Sequence, residues 1–154
     1  MWSDVDGCDF AMLIGKPEIR ARIPHAGAMC LLDTVLSWDD RRVACTTGSH
    51  RAADNPLRRA GRLHAICGVE YAAQAMALHG GLAGGAQTQP RAGYLASLRE
   101  LVCRVAYLDS IDGDLLVEAE RLLAEGSRVI YRFALSGKDG EFMSGRAAVV
   151  LEKP

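Results

Sequence analysis

The sequence has no C-x-x-C pair, and its five cysteines, Cys8, Cys30, Cys45, Cys67 and Cys103, are odd in number. Disulfide scaffolds and structural zinc sites both depend on paired spacings, so reduced, buried thiols in a cytoplasmic protein are the better expectation. An excess of either charge is also missing: 18 Lys and Arg face 19 Asp and Glu, a net charge of −1. No general attraction to nucleic acid or to a membrane surface follows from that balance. The longest uncharged windows are broken by Gln, His and glycine pairs, so no helix is expected to span a membrane. The N-terminus, Met1-Trp2-Ser3-Asp4-Val5-Asp6, carries acid where a signal peptide needs base. Internal repeats, low-complexity tracts and a dividing linker are absent as well.

What remains is a globular composition, 49% hydrophobic and 24% charged, which excludes disorder and collagen-like repeats. At 154 residues the chain suits one domain, residues 1–154, and is too short for two of ordinary size.

Period-2 patterning dominates. Lys16-Pro17-Glu18-Ile19 can open a short helical turn, since proline suits the first helical position. Residues 30–37 read as a strand, Asp39-Asp40 as its turn, and Val43, Cys45 and Thr47 as the returning strand. Val129, Tyr131, Phe133 and Leu135 alternate with Arg128, Ile130, Arg132 and Ala134. Glu125-Gly126-Ser127 and Gly137-Lys138-Asp139-Gly140 supply hairpin chemistry on either side. Residues 115–123 and 142–151 therefore flank that strand in a meander, and residues 94–107 supply a further long strand.

One segment differs. Across residues 63–90, Glu70 is the only formal charge. Residues 65–79 contain five alanines with Val, Ile, Met and Leu and no proline, which predicts a helix that Gly80-Gly81 stops. Its apolar residues run all the way round, as in a helix enclosed by other structure. The predicted class is α+β, one buried helix embraced by a long, curved antiparallel sheet.

A carboxylate on such a helix is costly unless partnered, and burial favours its protonated form, which can donate to a leaving oxygen. Glu70 holds that place, with Gln74 about 40° round the helix on the same face. The plainer reading sets Glu70 at a helix edge, exposed or paired with an arginine, and Gln74 as a satisfied packing amide. Among His25, His50, His64 and His79 the sequence gives no ranking. His50 lies in a loop, Ser49-His50-Arg51-Ala52-Ala53-Asp54-Asn55-Pro56, of the kind that holds general bases. His25, after Pro24, is equally a turn residue.

Two segments carry a resemblance. Ile23-Pro24-His25-Ala26-Gly27-Ala28-Met29-Cys30-Leu31-Leu32-Asp33 is similar to an L-P-H-x-x-P-x-x-L-x-D opening, and Gly68-Val69-Glu70-Tyr71-Ala72-Ala73-Gln74 to an E-A-L-A-Q helix motif. Together, in this order, they resemble the hotdog-fold 3-hydroxyacyl-(acyl carrier protein) dehydratases, nearest to those of aryl-polyene-type gene clusters. The family's H-F-P-G-x-P-x-x-P-G signature has its histidine fourteen residues before the glutamate, where this chain has Pro56. His50 stands twenty residues before Glu70, so it takes that role only with a loop about six residues longer.

The resemblance implies a hotdog fold and elimination of water from a 3-hydroxyacyl thioester, giving a trans-2-enoyl thioester in fatty-acid or polyene synthesis. It implies His50 as the base and Glu70 as the acid or water-orienting group, with His25 and Gln74 contacting substrate. The amides around Ala65, Ile66 and Cys67 would bind the thioester carbonyl. It also implies sites shared across a dimer, most simply a homodimer, with histidine and carboxylate from opposite subunits. The thioester sits on acyl carrier protein or coenzyme A. Arg58, Arg59 and Arg62 are either solvated surface charges or a basic patch that steers an acidic carrier. No metal or organic cofactor is implied, and no ligand spacing suggests one. Two other readings stay open: a hotdog thioesterase whose helix carboxylate activates water, and a non-catalytic acyl-binding subunit of a heterodimeric dehydratase.

Overall fold

The computed structural model describes residues 14–23, 29–84 and 93–152. In chain order its elements are α1 (Lys16–Arg22), β1 (Thr34–Trp38), β2 (Arg42–Thr47), α2 (Gly68–Ala83), β3 (Gly93–Cys103), β4 (Leu115–Glu125), β5 (Arg128–Gly137) and β6 (Gly140–Leu151). Of the opening motif, residues 24–28, His25 among them, fall outside the described residues.

Alternation in the sequence becomes the two faces of one antiparallel sheet, ordered β1-β2-β4-β5-β6-β3. Its register lines up Val35, Cys45, Val117, Leu135 and Met143 in a single buried row from β1 to β6. The next row runs Val43, Ala119, Phe133 and Gly145. Glycine is needed there: a Cβ at position 145 would lie 2.7 Å from the Phe133 ring. Burial pushes the Cys45 thiol up to about 12, so it packs as an inert apolar side chain. Cys30, Cys67 and Cys103 are free thiols as well.

α2 lies against β4, β2 and β5, and the hotdog architecture expected from the sequence is the one observed. Its limits differ from expectation at both ends. Residues 65–67 form a separate one-turn 3₁₀ helix, and α2 begins at Gly68. Glycine permits that start, because a Cβ there would meet the Met143 sulfur at 2.9 Å. At the other end the helix continues through Gly80 and Gly81 to Ala83. Gly81 serves close packing instead of termination: a Cβ on it would come within 2.9 Å of the Arg22 carbonyl of α1.

Two strands are also shorter than the pattern suggests. β1 starts at Thr34 because the backbone of Leu31 is held by side chains, its N–H by Gln74 and its carbonyl by Ser49. β3 stops at Cys103, after which the chain turns to pair Tyr107 with His64. β3 forms one edge of the sheet, and none of its residues is buried. No helix among the described residues is long and apolar enough to cross a membrane.

Candidate active site

Glu70 occupies the first turn of α2 and is half-buried. Its position suits a helix N-terminus, where the positive end of the peptide dipole favours an acidic side chain. Gly68 seats this end of the helix on Leu135 and Met143.

The neighbouring Tyr71 is fully buried and ties the helix to the turn that holds His50. Its hydroxyl lies 2.8 Å from Ser49 Oγ and accepts from Asn55 Nδ2 at 3.1 Å. Asn55 also donates to the Ser49 carbonyl at 2.9 Å, and Ser49 Oγ donates to the Leu31 carbonyl at 2.7 Å. Burial raises the Tyr71 pKa, so the phenol stays protonated and can serve the network as donor. Nothing in the sequence pattern marks Ser49, Asn55 or Tyr71 as a unit. Their only visible signal is adjacency to His50 and Glu70.

His50 itself is completely buried, at 0% exposure. Its Nε2 is 2.9 Å from the Ile111 carbonyl. A carbonyl can only accept, so Nε2 carries the proton and Nδ1 presents a lone pair. That Nδ1 is buried and has no hydrogen-bond partner among the described residues. Burial lowers the His50 pKa, helped by the Arg51 charge and opposed by the Ile111 carbonyl and Asp114. The result is a neutral imidazole with one nitrogen pinned and the other unpartnered, both enclosed within the chain.

Gln74 is fully buried and clamps the segment from Met29 to Leu31. Its Oε1 accepts from the Leu31 amide at 2.9 Å, and its Nε2 donates to the Met29 carbonyl. Two residues further on, Asp33 accepts from the Gly48 amide at 2.8 Å and pairs with Lys16 at 2.9 Å. Burial works against its charge, but these two partners outweigh it and hold the carboxyl below its ordinary value.

The amides expected to receive a carbonyl are mostly engaged. Ala65 N–H donates to Ala106 and Cys67 N–H to His64, both at 3.0 Å, while the Ile66 side chain between them is 59% exposed. Of the three arginines, Arg58 uses every guanidinium nitrogen on backbone carbonyls, those of Ala52, Gly61 and His50. Arg62 pairs with Asp109 at 2.8 Å and stacks on Tyr107 at 3.8 Å. Arg59 is exposed, with one nitrogen on the Arg58 carbonyl. Arg58 thus braces the His50 turn from inside. His79 is a clip in the core, accepting from Tyr131 Oη at 2.7 Å and donating to the Asp39 carbonyl at 3.0 Å. His64 is exposed and stacks on Tyr107.

No curated protein matches the chain. Among solved structures it is similar to a chain of the dehydratase heterocomplex ApeI:P from Xenorhabdus doucetiae, with 21% identity and a TM-score of 0.78 over 88% of this chain and 91% of that one. A mutant thioesterase from Staphylococcus aureus is 11% identical, with a TM-score of 0.56 over 77% of this chain and 92% of that one. AziG from S. sahachiroi is 13% identical, with a TM-score of 0.57 over 78% and 90%. These likenesses are of fold. A model of the ApeP-like family, described as ApeP dehydratase, matches residues 17–153. That span runs from α1 through the His50 turn and Glu70 to the last strand, and the chain belongs to the ApeP-like dehydratase family.

Proposed function

We propose that the protein eliminates water from a 3-hydroxyacyl thioester carried on acyl carrier protein, yielding the trans-2-enoyl thioester. His50 Nδ1 takes the proton alpha to the thioester carbonyl. The Cα–H electron pair becomes the new C=C bond, the C–O bond at the beta carbon breaks, and Glu70 protonates the departing hydroxyl so that it leaves as water. The positive end of α2 polarises the carbonyl. Since Ala65 and Cys67 N–H already have acceptors, the dipole is assigned more of that work than those two amides.

The observation that carries the reading is the pinned, neutral His50 with its bare Nδ1, in a chain of this dehydratase family whose α2 bears Glu70 in its first turn. The site is completed by a second subunit along the open edge of β3, so that base and acid meet across the interface. Likeness to a chain of a dehydratase heterocomplex favours a different dehydratase chain over a second copy as that subunit.

The test is incubation of the purified chain, alone and with a second dehydratase chain, with 3-hydroxyacyl and saturated acyl thioesters of carrier protein and of coenzyme A. Conjugated enoyl product supports dehydration. Release of free thiol assigns the site to thioester hydrolysis, and no product in any mixture leaves the chain a binding subunit.

A further inference from the structure

Arg58 is half-buried, and its guanidinium spends every nitrogen on a neutral backbone carbonyl: Nε on Ala52 at 2.8 Å, Nη1 on Gly61 at 2.8 Å and Nη2 on His50 at 3.3 Å. Among the described residues no carboxylate pairs with it. A planar fork holds its acceptors at fixed angles, so these contacts set relative position more than they balance charge. Two of the acceptors belong to the turn that carries the imidazole. His50 lies in the one-turn 3₁₀ helix Ser49–Arg51, and a helix this short leaves its carbonyls to donors from outside. Asn55 supplies one for Ser49, and Arg58 supplies those for His50 and Ala52.

The third acceptor closes a circuit. Ala60 and Gly61 form a tight turn at φ 51° and 75°, across which Arg59 and Arg62 bond to each other at 2.8 and 3.0 Å. Left-handed backbone costs strain at Ala60, and the turn it permits brings the Gly61 carbonyl onto Arg58 Nη1. Beyond the turn, Asp109 takes Arg62 Nε on one carboxylate oxygen and the Leu63 N–H on the other, both at 2.8 Å. The Leu108 N–H donates to the Leu63 carbonyl, and the Ile111 N–H to the Leu108 carbonyl. Ile111 is the residue whose own carbonyl pins His50 Nε2. The main chain and the ring of His50 are therefore tied, by separate routes, to one frame made of residues 58–63 and 108–111. Arg58 is the side chain that joins the two routes.

We infer that Arg58 is a positioning residue for the proposed base. It holds the His50 backbone where the ring meets the Ile111 carbonyl, and so keeps Nδ1 as the unprotonated nitrogen. For catalysis this rests on the reading of His50 as the base, whereas the state of the ring is measured without substrate. It also takes Arg58 out of any carrier-docking patch.

The experiment compares Arg58→Gln and Arg58→Lys with wild type and His50→Ala. Nitrogen NMR of the imidazoles reads the tautomer, with the His50 signals assigned by their loss in His50→Ala. Wild type is expected to show one protonated and one unprotonated nitrogen at His50, and Arg58→Gln to show averaged nitrogens. In a mixture that gives enoyl product, Arg58→Gln is expected to lower kcat about 10²-fold at unchanged KM, the cost of a misplaced group. Arg58→Lys should fall between, because one ammonium cannot span three carbonyls. Circular dichroism confirms folding, and Arg58→Lys carries the comparison should Arg58→Gln misfold. A folded variant with the wild-type tautomer at His50 overturns the inference, as does a loss confined to KM, which assigns Arg58 to substrate contact. A wild-type rate in His50→Ala removes the base reading instead, and the spectra alone then decide whether Arg58 holds the ring.

Discussion

His50 Nε2 and the Ile111 carbonyl share a 2.9 Å hydrogen bond, and this contact decides which imidazole nitrogen is available for chemistry. Because burial lowers the His50 pKa, the base stays neutral to lower pH than an ordinary histidine. The acid limb of kcat/KM for dehydration is expected below about pH 6.5. His50→Ala is expected to lower kcat by about 10²–10⁴-fold. An acid limb at or above the ordinary histidine value, or a near wild-type rate in the variant, removes His50 as base.

Glu70→Gln keeps the shape of the side chain and removes the transferable proton. Dehydration is expected to fall by at least about 10²-fold. The melting temperature should hold within a few degrees, because Glu70 is only half-buried. Activity is read as enoyl product and folding by calorimetry. Loss of both together would recast Glu70 as a structural residue.

Gln74 bridges Met29 and Leu31 from within the core, so Gln74→Ala strands a buried Leu31 N–H and the Met29 carbonyl. A loss of about 2–4 kcal/mol is expected in denaturant unfolding. Gln74→Glu keeps the acceptor for Leu31 but not the donor for Met29, and should lie between wild type and Gln74→Ala.

Glu118 and His79 pull stability in opposite directions with pH. Glu118 is 7% exposed on β4, and burial together with the nearby Glu141 pushes its carboxyl up to about 7, against the pull of Arg42. Its folded pKa exceeds its unfolded one, so its contribution is complete below about pH 4.3 and is lost as pH rises toward 7. Glu118→Gln is therefore expected to raise the melting temperature above pH 7 and to change little at pH 4. His79 is the reverse case: burial lowers its pKa, opposed by the Asp39 carbonyl. Its contribution is complete above about pH 6.5 and declines as pH falls from there. His79→Gln should flatten that acid-side decline in a series of thermal melts.

Where local chemistry sets local structure, the sequence was legible. Val43, Cys45 and Thr47 alternate in sequence and are buried together in β2. The meander of β4, β5 and β6 follows its turn signals, and the alanine-rich run around Glu70 forms α2. The limits of α2 were not legible. Glycine terminates helices by default, and only the approach of Arg22 shows that Gly81 is there for packing. The arginines show the same divide. In sequence Arg58, Arg59 and Arg62 form a basic cluster, yet three backbone carbonyls claim Arg58 and Asp109 claims Arg62.

Sequence alone determined the class of fold and the residue types able to move protons, because periodicity and turn propensity act over a few neighbouring residues. Tertiary structure decided which nitrogen of His50 is bare, what Gln74 holds, and that Arg99, Arg146 and Arg132 stand side by side. Those relationships join residues from 14 to 61 positions apart in the chain. Such pairings are set by strand register and core packing, for which a linear pattern carries no local signal.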